Sequence, residues 1–117
     1  MKTLTCIIIE DEPEFVEILK FHLKKIPNVE VLGAYGDTVQ ATTEIERKKP
    51  DFIFLDINIS GLEGPEFVEV LIYKPKIVII SGHTEAFMKH YPEVEYQDFI
   101  QKPPTLDRLK EAIQKCS

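Results

Sequence analysis

The chain has 117 residues, 20 of them acidic and 14 basic, for a formal net charge of −6 with 44% hydrophobic residues. That length fits one domain (1–117) with its own buried core, and the acidic balance argues against direct nucleic-acid contact, which needs a basic surface. Cys6 and Cys116 show neither metal-binding spacing nor a disulfide framework, which favours a reducing cytoplasm, and no apolar run is long enough for a membrane span or signal peptide.

In chain order, CIII (6–9) is short, apolar and rich in β-branched residues, as suits a strand buried on both faces of a parallel sheet. Residues 13–25 have helical periodicity, with Phe15, Val16, Leu19, Phe21 and Leu23 mostly on one face. Pro13 fits the first turn, where its missing N–H costs nothing. VEVLGA (29–34) alternates and reads as a less buried edge strand. An amphipathic helix over 38–48 leads to FIFL (52–55), a second buried strand. Residues 64–73 read as a helix with Phe67, Val68 and Leu71 inward and Pro75 ending it. IVII (77–80) is another buried strand, after which Thr84–His90 allows about two helical turns before Pro92 blocks continuation. YQDFI (96–100) is a weaker, edge-like strand, and 105–115 is a last amphipathic helix. Strand and helix alternating in this way predict a doubly wound α/β sandwich.

Chemistry gathers where the strands run out. Glu10, Asp11, Glu12 and Glu14 surround Pro13. An acidic helix start is one reading of them, favourable to the helix dipole. The other is that Glu10 and Asp11 hold a hard divalent cation through oxygen, as magnesium is held by one or two carboxylates. Asp56 follows FIFL and precedes a loop with two glycines. It reads either as a turn starter or, beside Asp11 and a metal, as a nucleophile towards phosphorus. Ser81 follows IVII and is either a loop serine or a hydroxyl donor to a phosphoryl oxygen. Lys102 follows DFIQ and precedes Pro103 and Pro104, and a cis Lys-Pro bond would aim it into the crevice.

The segments IIIEDEP, LDINISGLEG, IISG and QKP together resemble the receiver domain of two-component response regulators, over essentially the whole chain. The resemblance implies a flavodoxin-like (βα)5 fold with strand order 2-1-3-4-5. It implies that Asp56 accepts a phosphoryl group from a histidine kinase or phosphotransfer protein. Mg2+ would be held by Glu10, Asp11, Asp56 and the backbone carbonyl of Asn58. Lys102 would pair with the phosphoryl oxygens, and Ser81 would bond one of them on activation. Phe99 matches an aromatic that changes rotamer with Ser81, although an ordinary core aromatic reads equally well there. Asn58 and His83 fall at positions that tune phosphoryl lifetime, with a surface histidine as the plainer reading of His83. Three departures stand out: Glu10 for the commoner aspartate, Ser60 for proline, and Gly82 for alanine.

Such a domain is no enzyme beyond its own phosphoryl transfer and dephosphorylation. Its output would be a switch in the 84–105 surface, where partners dock, with homodimerisation through 84–117 as an option. A pseudo-receiver that binds protein without being phosphorylated is the alternative, disfavoured by Asp11, Asp56, Ser81 and Lys102. A flavodoxin-like cofactor binder is disfavoured by acids where a phosphate loop needs hydroxyls. The opening and the DFIQKPPTLDRLKEAIQK ending look most like receivers that precede LytTR-type DNA-binding domains. The resemblance thus implies either the N-terminal domain of a transcriptional regulator or a stand-alone regulator.

Overall fold

A computed structural model describes residues 2–57 and 64–117. Five strands, β1 (Leu4–Ile9), β2 (Val29–Tyr35), β3 (Phe52–Asp56), β4 (Lys76–Ser81) and β5 (Asp98–Gln101), form one sheet in the order β2-β1-β3-β4-β5. Every pairing is parallel. This is the doubly wound order expected from the resemblance, and the two alternating or weaker runs, β2 and β5, are its edges.

The uninterrupted apolar runs have a simple cause: successive side chains enter opposite layers. Cys6 and Ile8, Phe52 and Phe54, Val78 and Ile80 enter one core layer. Ile7 and Ile9, Ile53 and Leu55, Ile77 and Ile79 enter the other. The first layer is closed by α1 (Pro13–Leu23) through Leu19 and Leu23 and by α4 (Leu106–Lys115) through Leu109, Ala112 and Ile113. The second is closed by α2 (Thr38–Lys48) through Ala41 and Ile45 and by α3 (Gly64–Val70) through Phe67. Asp37 and Thr105 cap α2 and α4, accepting the Gln40 and Arg108 N–H groups at 2.8 and 3.2 Å.

Two expectations about helices need correction, and the third, the short helix before Pro92, is met in extent but with 3-10 geometry. Phe21 is 60% exposed. At 100° per residue it lies about 200° round the helix from Leu19 and Leu23, on the opposite face, where Lys25 Nζ sits 4.2 Å from its ring centre. The helix expected over 64–73 ends at Val70. The Ile72 and Tyr73 N–H groups leave the helical ladder to donate to the Glu46 carboxylate on α2, at 3.1 and 2.9 Å. Between β4 and β5 the helix is a single 3-10 segment, Glu85–His90. Phe87 N–H to Thr84 and Tyr91 N–H to Met88, both 3.0 Å, close three-residue turns, and Pro92 allows no extension.

Candidate functional site

The carboxyl ends of β1, β3, β4 and β5 lie side by side, so residues distant in sequence meet at one rim. Glu10 directly follows β1, its backbone N–H donating to Tyr35 O at 3.0 Å. Asp56 is the last residue of β3 and Ser81 the last of β4. Lys102 follows β5, pinned by its N–H donating to Ser81 O at 2.8 Å, and the Lys102–Pro103 peptide bond is cis. Glu10, Asp56 and Ser81 are buried, and for the two acids that is unusual without compensation.

The compensation comes from Lys102. Its Nζ lies 2.8 Å from Glu10 Oε1, 3.4 Å from Asp56 Oδ2 and 3.4 Å from Glu12 Oε1. One ammonium cannot balance so many acids. Glu10, Asp11, Glu12 and Asp56 each bring a carboxylate oxygen to within 4.8 Å of the others. Burial pushes the Glu10 carboxyl up to about 7, against the pull of Lys102 and of the Glu12 N–H that donates to Oε2 at 3.1 Å; nearby Asp56 adds to the rise. Burial also works against the Lys102 ammonium, but the Glu10, Asp56 and Glu12 carboxylates outweigh it and hold its pKa above the usual lysine value.

A hard cation fits this donor set. All four side chains offer oxygen, Asp11 and Glu12 open towards solvent, and the buried Glu10 Oε1 is met by the Lys102 ammonium at 2.8 Å. Carboxylates with few protein ligands and room for water suit Mg2+. Glu12 was not among the expected ligands. Its signal was present in the acidic run itself, but nothing in the run told which of its members turn inward.

The Ser81 hydroxyl accepts the His83 N–H at 3.0 Å, a local turn that holds it beside the rim. The His83 ring is exposed and stacks on Phe87, with centroids 4.5 Å apart and planes 12° apart. Phe99 is buried in the second core layer, edge-on to Tyr96 at 6.4 Å. The sequence reading missed Phe15, whose ring lies 4.3 Å from Lys102 Nζ. Asn58 and Ser60 lie outside the described residues. At Gly82 an added Cβ would meet nothing within 4 Å, so packing there does not demand glycine.

Buried acids beside a lysine and a cation-ready cluster put the counter-charges that a nucleophilic carboxylate would need around Asp56. Compared with known families, residues 6–114 match the response regulator receiver domain. The transcriptional regulatory protein YpdB of Escherichia coli is 31% identical over 112 residues, covering 93% of this chain and 46% of YpdB. The sensory transduction protein LytT of Bacillus anthracis is 27% identical over 114 residues, covering 96% of this chain and 46% of LytT. The chain thus spans about half the length of these relatives. Among solved structures, the signal receiver domain of the putative response regulator NarL from Mycobacterium tuberculosis superposes with a TM-score of 0.87 at 22% identity, covering 99% of this chain and 97% of that one, a likeness of fold.

Proposed function

Because the chain belongs to the response regulator receiver family, we propose that it is phosphorylated on Asp56 by the phosphohistidine of a histidine kinase or phosphotransfer protein. An Asp56 carboxylate oxygen attacks phosphorus; the new O–P bond forms as the N–P bond to histidine breaks, and the imidazole leaves with that electron pair. Glu10, Asp11, Asp56 and the Asn58 carbonyl would hold Mg2+, which when bound offsets charge on the transferring oxygens. Lys102, 3.4 Å from Asp56 Oδ2, supplies the positive charge facing the acyl phosphate.

The observation that carries this reading is the meeting of Asp56 with Lys102 inside the four-carboxylate cluster. The acyl phosphate adds nearly two negative charges at this rim. Ser81, whose oxygen accepts the His83 N–H, then turns its hydroxyl proton to a phosphoryl oxygen, and with Phe99 it biases the 84–105 surface where partners bind. His83 and Asn58 tune the lifetime of the product through access of water. Homodimerisation through 84–117 would be one readout of the switch.

The kinship with YpdB and LytT supports a place in a transcriptional regulator, of the LytTR type suggested by the sequence, acting in the cytoplasm. DNA contact would fall to the part of such a protein that this acidic chain does not match. Incubation with Mg2+ and acetyl phosphate, followed by intact mass, tests the central step. A mass gain of one phosphoryl group in the wild type and none in Asp56→Ala is expected. No gain in a wild type that binds Mg2+ would establish the pseudo-receiver alternative instead.

A further inference from the structure

Phe15 is an aromatic residue the core does not use. It is half-buried, and among the described residues neither apolar layer includes it, although Leu19 and Leu23 of the same helix belong to the first. Its ring faces the Lys102 ammonium instead, with Nζ 4.3 Å from the centroid. Glu12, three residues earlier, approaches the same ammonium at 3.4 Å. Glu12, the residue that leads into α1, and Phe15, in its first turn, thus both approach Lys102 from the start of that helix.

We propose that Phe15 is a positioning residue for phosphoryl transfer, its ring face holding the Lys102 ammonium towards Asp56. This rests on the reading of Asp56 as phosphoacceptor and adds to it a residue that touches neither metal nor phosphorus. A ring attracts an ammonium through its quadrupole while carrying no formal charge. A carboxylate in that place would draw off the N–H donors of Lys102 or compete for the cation. The ring leaves all three donors free to turn from Glu10 to the phosphoryl oxygens. It also covers one side of an ammonium that Glu12, itself exposed, would otherwise draw towards solvent.

The test compares Phe15→Leu, Phe15→Tyr and Phe15→Trp with the wild type. Acetyl phosphate and Mg2+ drive phosphorylation, and NMR follows the Cε protons of Lys102. In the wild type these protons are expected upfield, in the shielding cone of the ring. Phe15→Leu is expected to lose that shift and to slow phosphorylation roughly three- to tenfold, the worth of one partly desolvated cation–π contact. The slowing is expected in the maximal rate, with the Mg2+ dependence unchanged. Tyr and Trp, which keep a ring face, are expected to restore both shift and rate. Wild-type rates in Phe15→Leu would overturn the positioning role, as would failure of the aromatic variants to outpace leucine. A wild type that takes no phosphoryl group overturns the receiver reading and the positioning role with it. A phosphorylated wild type with an indifferent Phe15→Leu overturns the role of Phe15 alone.

Discussion

Replacing Glu10 by glutamine should stabilise the metal-free protein at alkaline pH. Glu10 is 3% exposed, and burial pushes its carboxyl from 4.5 up to about 7. Below about 4.5 folded and unfolded chains both carry the proton, and Glu10 costs nothing. Between 4.5 and about 7 the unfolded chain is ionised while the folded one keeps its proton. The folded state then binds more protons, so stability falls as pH rises. Above about 7 both are ionised and the whole penalty remains. At about 1.4 kcal/mol per pKa unit the rise amounts to about 3 kcal/mol, and the solvent-facing Asp11 side of the site reduces it to roughly 2. Urea unfolding in EDTA at pH 5, 6, 7 and 8 reads this directly. The wild-type midpoint should fall across the series, the Glu10→Gln midpoint much less, and the variant should be the more stable by about 2 kcal/mol at pH 8. Mg2+ should restore the wild type at pH 8 and help the variant little. Parallel curves for the two proteins would refute the assignment of the penalty to Glu10.

Two further outcomes follow from the same charges. Lys102→Met removes a cation that shares Glu10 and Asp56 with any bound metal; Mg2+ affinity, read by calorimetry, should rise while phosphorylation by acetyl phosphate slows on the order of tenfold or more for loss of an electrostatic stabiliser. Away from the site, burial would raise the Asp98 carboxyl, but hydrogen bonds from Arg108, the Phe99 N–H and Lys115 together outweigh it and lower it. Arg108 reaches it with two nitrogens at 3.0 and 3.1 Å. Asp98→Asn should therefore cost about 1–2 kcal/mol by urea unfolding near neutral pH, and the difference from wild type should shrink as acid protonates Asp98.

What could be read from residues alone divides along a physical line. Runs such as FIFL and IVII announce their strands because both faces of a central parallel strand are apolar, whatever the neighbours do. Asp56 and Ser81 are legible for the same reason, each standing where such a run stops, and Lys102 stands at the end of the weaker edge run DFIQ; parallel strands place all their carboxyl ends on one rim. Helix ends were less legible because they depend on distant partners. Of the three residues that 64–73 loses from its helix, Ile72 and Tyr73 are taken by Glu46, a contact between α2 and the segment after α3 that no local pattern encodes. Phe15 shows the same limit within one helix. Helical angle sets Phe21 opposite Leu19 and Leu23, beside Lys25 in solvent, but gives no sign that Phe15, near the Leu19 side, turns to Lys102. The helix fixes the angular position of Phe15, but what meets that angle is set by the chain after β5, some ninety residues on. That Phe15 belongs to the site is therefore visible only in the fold. A conservative replacement such as leucine should accordingly be nearly neutral at Phe21 and costly to phosphorylation at Phe15.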